Sequence, residues 1–143
     1  MNADGSNQRQ SYTNKNGISV TPVFSSDGAE IFFANDKEDG NTGNFEIFKV
    51  GFETGEAEKR LTFRRRWDGH PAVSPNGKRI AFTSETDGNS EIYLMNSDGT
   101  GLLRVTRNLA TDITPQFSGN GTKIIFSSNR GGKFALYEID IAS

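Results

Sequence analysis

The chain has 143 residues, with 16 Gly, 11 Phe and no Cys, and a formal net charge of −2. That length suits one domain or a piece of one. The charge argues against nucleic acid or a membrane surface as partner, and the missing cysteine excludes disulfides and thiolate metal sites. No apolar run approaches the ~18 residues of a membrane-spanning helix, and no apolar region follows MNADGS, so no signal peptide is read there.

In chain order, Met1–Thr13 reads MNADGSNQRQSYT, which matches Met95–Thr106, MNSDGTGLLRVT. It is the tail of a repeat placed ahead of the first whole copy. Thr21–Asn35 (TPVFSSDGAEIFFAN) then predicts a hairpin, and His70–Ser84 (HPAVSPNGKRIAFTS) and Thr114–Ser128 (TPQFSGNGTKIIFSS) repeat it. Asp-Gly or Asn-Gly between β-prone runs predicts a type I′ turn, with φ > 0 at both central residues. The prolines Pro22, Pro71 and Pro115 lie 49 and 44 residues apart, and Phe33, Phe82 and Phe126 keep that spacing. Third strands are expected at Phe45–Val50, Ser90–Met95 and Phe134–Ile139, and fourth strands ending at Leu61-Thr62 and Val105-Thr106. From Thr13, Thr62 and Thr106 to the next proline is nine residues each time, which sets the phase of the N-terminal tail. No window carries the helical i, i+3, i+4, i+7 pattern over three turns.

Four strands per 40–50 residues is the period of a propeller blade. The fold class is therefore all-β: three four-stranded blades, with the outer strand circularly permuted to the front. Blade 1 is expected at about 18–62, blade 2 at about 67–106, and blade 3 at about 111–143, completed by a strand at 8–13. The second strands (Ile31-Phe32-Phe33, Ile80-Ala81-Phe82, Ile124-Ile125-Phe126) are apolar on both faces, as a strand between neighbouring blades must be.

The pattern P-x-F-S-x-D/N-G-x-x-I-x-F…I-Y-x-M-N-x-D-G resembles the TolB-type, WD40-like (PD40) repeat. The best copies are Pro71–Thr106 and Pro115–Ile139, and the resemblance covers essentially the whole chain. It implies a six-bladed propeller, often periplasmic, that binds protein or peptide partners. The same repeat builds regulatory propellers beside peptidase domains and some polysaccharide lyases.

Three blades do not close a ring, and an open arc leaves an unpaired edge at Ala135–Ile139. A head-to-tail homodimer is expected, giving a six-bladed ring from two chains. Gln8, Arg9, Gln10, Ser11, Tyr12 and Thr13 of one chain would pair with the strand of the other that carries Leu136, Tyr137 and Ile139. A fragment cut from a longer six-bladed chain is the alternative. The chain is cytoplasmic if complete, and periplasmic by resemblance if processed or truncated.

The interblade connections are expected at Asn14–Ser19, Phe63–Gly69 and Arg107–Ile113, on the face around the channel. The second is the most unusual: Arg64, Arg65, Arg66, Trp67 and Asp68, followed by His70, hold the only Trp and the only His. Guanidinium forks beside an indole face suit carboxylates, phosphates or sugars, whereas a charge run is also simply a solvated loop. One His per chain, with Asp68 and Asp112 three residues ahead of their prolines, falls short of the three ligands of a catalytic metal. Asn35–Glu46 carries parts of a calcium-loop pattern, but Lys37 stands at a ligand position. Asn120-Gly121-Thr122 fits a glycosylation sequon and is explained by its turn. The reading is a non-catalytic binding or scaffold module, without cofactor or metal, for a protein, peptide or anionic ligand. The alternative is a metal-assisted lyase or hydrolase acting on an anionic carbohydrate in the channel.

Overall fold

The computed structural model describes residues 4–13, 17–37 and 43–141. The described residues form eleven strands: β1 (Ser19–Phe24), β2 (Glu30–Asn35), β3 (Glu46–Gly51), β4 (Lys59–Arg60), β5 (Asp68–Val73), β6 (Arg79–Ser84), β7 (Glu91–Asn96), β8 (Leu103–Arg104), β9 (Asp112–Phe117), β10 (Lys123–Ser128) and β11 (Ala135–Asp140). They form two four-stranded sheets, β1–β4 and β5–β8, and a three-stranded sheet, β9–β11, all antiparallel in sequential order. Among the described residues, no helix is long and apolar enough to cross a membrane.

The sheets stack face to face because their second and third strands are apolar on both sides. Phe32, Ala34, Ile47 and Leu61 of the first sheet meet Ile80, Phe82, Tyr93 and Met95 of the second. Ala81, Ile92 and Leu94, on the other face of the second, meet Ile124, Phe126, Tyr137 and Ile139 of the third. Each Leu, Ile, Phe or Met side chain so removed from water contributes about 1.5–3 kcal/mol, so the two junctions hold the arc together. The fourth strands are short for a local reason. After Leu61 N–H bonds Ile47 O (2.7 Å), the next ladder donor, Ile47 N–H, is taken by the Thr62 hydroxyl (2.9 Å). Val105, Ile92 and Thr106 do the same in the second sheet.

The hairpin turns differ from the type I′ expectation. Gly28, Gly77 and Gly121 have positive φ (73°, 70° and 70°), but Asp27, Asn76 and Asn120 do not. Gly28 N–H instead bonds Ser25 O (3.0 Å), Asp27 Oδ1 accepts Ala29 N–H (3.0 Å), and Ser25 Oγ accepts Glu30 N–H (2.9 Å). Ser74 with Asn76, and Ser118 with Asn120, repeat the clamp. The Asx carboxyl or amide caps the turn from outside, so the backbone needs only one left-handed residue, the glycine.

The N-terminal segment is expected to form a strand only against a second copy. Gln8, Arg9, Gln10, Ser11, Tyr12 and Thr13 form no strand in the single chain. They lie on the free face of the first sheet, where Tyr12 packs on Phe33 with ring centroids 5.1 Å apart, over the cluster Phe33, Phe48 and Val50. The Tyr12 hydroxyl donates to the Glu58 carboxylate, and Arg9 pairs with Glu53 at 3.1 Å.

Candidate binding face

Three inner strands, β1, β5 and β9, run side by side along the concave side of the arc. Each carries a bulge at the residue ahead of its proline, where pairing to the second strand slips. At those places Thr21, His70 and Thr114 take φ of 52°, 49° and 54°. A residue before proline is steered away from the right-handed helical region, and the left-handed region costs a β-branched residue about 1–2 kcal/mol. The three residues, with Pro22, Pro71 and Pro115, line one shallow cavity of about 220 Å³ on the channel side. The His70 N–H donates to Thr21 Oγ1 (3.3 Å), and the Thr114 N–H to Thr83 Oγ1 (3.1 Å), so neighbouring blades hold the bulges.

The run Arg64–His70 is divided by the fold. Asp68 and Gly69 open β5 and are strand, not connection. Trp67 lies across Gly69, where an added Cβ would sit 2.2 Å from the indole, and meets His70 edge-on at 4.9 Å. The His70 imidazole is half-buried, and that burial pulls its pKa below the ordinary value. Arg64 turns inward: its guanidinium covers the Tyr93 ring at 4.7 Å, and its backbone N–H donates to Glu46 at 2.7 Å. Within this run only Arg65 and Arg66 are exposed. So the structure brings Trp67 and His70 to the channel wall, Arg65 and Arg66 to the surface, and Asp68 into the junction between the first two sheets.

That junction holds a buried polar network. Glu46 accepts Arg60 (2.8 Å), the Thr62 hydroxyl and the Arg64 N–H. Burial still raises its pKa, opposed by the Thr62 and Arg60 bonds. Asp68, wholly buried nearby, has no hydrogen-bond partner of good geometry at either oxygen. Burial first, and then the Glu46 charge, push its pKa up to about 7, against partial relief from the Ser84 and Thr62 hydroxyls and Arg64. Asp68 is thus a structural carboxyl rather than the surface ligand expected of it. The expectation misplaced it because three residues ahead of a proline looks like loop, whereas the bulge keeps that position inside the strand.

Two large apolar residues stand exposed in the connections expected at Phe63–Gly69 and Arg107–Ile113. Phe63 is 73% exposed beneath the Arg60 guanidinium (4.8 Å), and Leu109 stands fully exposed in the equivalent connection. Phe63 directly follows Thr62, the residue that ends the ladder, and opens the connection that the sequence places on the binding face. The connections are tied to the loops between second and third strands. Asn44 donates to Arg64 O (3.2 Å), Thr86 to Arg65 O (3.3 Å), and Asn89 to Ala110 O (2.7 Å). Phe63, Arg65 and Arg66 are exposed in the first of these connections and Leu109 in the second. Asn35 and Glu46, the ends of the calcium-like stretch, are engaged by Ser19 (2.8 Å) and Arg60; residues 38–42 of it lie outside those described. Among the described residues, no three His, Asp or Glu side chains converge as metal ligands.

A family model described as the TolB beta propeller domain, PD40, matches residues 1–143. A TolB homolog of Chlorobium luteolum is 33% identical over 133 residues, covering 92% of this chain and 28% of that protein. The TolB homolog of Chlorobium chlorochromatii is 38% identical over 127 residues, covering 89% and 27%. The chain thus spans little more than a quarter of the length of these relatives. The crystal structure of TolB from Acinetobacter baumannii superposes with a TM-score of 0.84 at 26% identity, over 97% of this chain and 33% of that one. An oligogalacturonate lyase in complex with manganese superposes at 0.72 with 20% identity, over 96% and 39%, a likeness of fold alone.

Proposed function

The chain belongs to the PD40 family of TolB β-propeller domains, and from that membership we propose that it is a non-catalytic binding module. Its loop-bearing face takes a protein or peptide segment rich in carboxylates, with an apolar residue alongside. The observation that carries this reading is the exposed set Phe63, Arg65, Arg66 and Leu109. Neither Arg65 nor Arg66 enters an ion pair among the described residues, and the interblade connections also expose two large apolar side chains, Phe63 and Leu109. Exposed apolar groups rimmed by charge mark interaction surfaces, and Arg with aromatics is the composition of interface anchors. A catalytic reading needs converging acid, base or metal-ligand groups, and the carboxylates here are engaged in structure: Glu46 by Arg60, and Asp68 by burial. A second copy of the chain supplies the other half of the ring. The working compartment, by family resemblance, is the periplasm.

Trp67, the single tryptophan, reports binding directly because it adjoins Arg66. A hexaglutamate peptide bearing one terminal leucine, titrated at low salt, quenches or shifts its fluorescence. Arg65→Ala with Arg66→Ala weakens binding about tenfold or more, since two charge-assisted contacts are lost. Arg64 is left in place because it packs on Tyr93. Equal affinity in the double variant and the unaltered chain would sink the proposal.

A further inference from the structure

The two junctions inside the chain share one charged network. In the first, Glu46 is bonded by Arg60, Thr62 and the N–H of residue 64, beside Asp68. In the second, Glu91 is bonded by Arg104 (3.0 Å), Thr106 and the N–H of Asn108 (2.8 Å), beside Asp112. The corresponding positions of a third junction are found by register. Glu46, Glu91 and Ala135 each open the third strand of their sheet, opposite Asn35, Ser84 and Ser128. Arg60 and Arg104 precede their threonines by two, as Ser11 precedes Thr13, while Asp68 and Asp112 precede their prolines by three, as Ser19 precedes Pro22. Glutamate, arginine and aspartate are all lost together, to Ala135, Ser11 and Ser19, although Ala135 lies at the far end of the chain from the two serines.

This coordinated loss has a physical logic. An unmatched arginine buried beside Ala135, or an unmatched glutamate buried beside Ser11, would be a desolvated charge without a partner. An outer strand carrying Ser11 therefore suits the Ala135 edge and is rejected by strands that open on Glu46 or Glu91. We propose that the free edge of β11 takes Gln8–Thr13 of a second copy as its fourth strand, across a seam cleared of charge. This deepens the reading that a second copy completes the ring, and rests on it. Among the described residues β11 pairs only with β10.

Side-chain placement agrees. Tyr12 stands where Leu61 stands one blade later: Leu61 packs with Phe82, Tyr93 and Met95, and Tyr12 with the equivalent Phe33, Phe48 and Val50. The segment is thus already seated against its own first sheet, with the sheet it would complete missing. Leu136, equivalent to the fully buried Ile47 and Ile92, is 77% exposed. An apolar cavity of about 150 Å³ lined by Tyr12, Val20, Pro22, Ile31, Phe33 and Val50 faces the side from which it would arrive. Tyr137 and Ile139, expected at the contact between chains, point instead into the second junction, so they offer that seam backbone only. By analogy with Ile47, Leu136 O accepts Tyr12 N–H, and Leu136 N–H donates to Thr13 Oγ1.

The test uses two variants of the 143-residue chain, Ala135→Glu at an exposed position and Ser11→Arg at a half-buried one. Sedimentation equilibrium shows the unaltered chain at twice 15.7 kDa. Each variant alone is weakened about 100-fold in self-association, because each homodimer buries two unmatched charges. Mixed in equal amounts they associate again, since one seam regains its Glu–Arg pair and the other is unaltered. A monomeric unaltered chain overturns both the seam and the second-copy reading, and leaves a further blade of a longer chain as the natural neighbour of β11. A dimer indifferent to both substitutions, or no recovery on mixing, overturns the seam alone. Acidic-peptide binding is read separately from mass, so its failure does not bear on either.

Discussion

The two internal junctions have the same backbone, the same glutamate network and the same buried aspartate, yet those aspartates titrate in opposite directions. Asp112 accepts Arg130 (2.9 Å) and Asn108 (2.7 Å), and these bonds, with those of Ser128 and Thr106, outweigh burial and hold its carboxyl below the usual range. Asp68 is pushed up to about 7. The residue two past Ser128 is Arg130, whereas the residue two past Ser84 is Thr86. Each junction also has a cation over the aromatic ring of a third strand. Arg130 covers Tyr137 (4.6 Å) while still reaching Asp112, but Arg64, arriving from the other side, covers Tyr93 (4.7 Å) and leaves Asp68 unserved. Where the cation enters, rather than whether one is present, decides the charge state of the aspartate.

The same substitution should therefore have opposite signs at the two sites. Asp68 has a folded-state pKa above its unfolded value. Its contribution is fully present below about pH 3.8 and is lost as pH rises to about 7. A shift of that size corresponds to at most about 4 kcal/mol. Asp68→Asn removes the penalty and stabilises the chain at pH 8 by about 2 kcal/mol, with the gain shrinking towards pH 4. Asp112 has a depressed folded pKa, so its contribution is present above about pH 3.8 and lost as pH falls through the folded value. Asp112→Asn costs about 1–3 kcal/mol at pH 8, because Arg130 and Asn108 lose a charged acceptor. Urea midpoints at pH 8 and pH 4 decide it; destabilisation by both variants at pH 8 would mean that the aspartates do the same job.

Exchanging the cations sharpens the contrast. Thr86→Arg with Arg64→Ala gives the first junction the arrangement of the second, and the Asp68 pKa falls by roughly 1–3 units. Arg130→Thr raises that of Asp112. Carboxyl-carbon NMR titration reads both, and an Asp68 that stays near 7 beside Arg at position 86 would locate the cause in burial alone.

Much of this was legible in the sequence, and the gaps have physical causes. Period, blade phase and the two-faced second strands follow from Pro22, Pro71 and Pro115 and the phenylalanines after them, because a repeated unit repeats its contacts. The turn type was misread because Asx-Gly serves both the two-residue hairpin and the serine-clamped turn. What separates them is the serine two residues ahead of Asp27, Asn76 and Asn120, and its bonds are visible only in three dimensions. The burial of Asp68 depended on a bulge at His70, and the inward turn of Arg64 on an empty place over Tyr93. Neither has a signature in local composition, since both are set by the neighbouring blade.

The smallest expected effect concerns what the junctions share, the left-handed residue ahead of each proline. Glycine would relieve strain but gain freedom in the unfolded chain, so asparagine, which tolerates this region, is the cleaner probe. Thr114 is β-branched, exposed, and makes only a long contact to Ser127 (3.4 Å) through its hydroxyl, so Thr114→Asn stabilises by about 0.5–1 kcal/mol. Histidine is already among the residues enriched there, so His70→Asn moves the denaturation midpoint little, with lost Trp67 contact offsetting any relief. Thr21 is unsuited to the comparison because its hydroxyl accepts the His70 N–H. The order Thr114→Asn above His70→Asn follows if local strain sets the cost of the bulge in every blade. The reverse order would mean that the blade-to-blade bonds have already relaxed it, and that the aspartates of the two junctions sit in frames less alike than their registers imply.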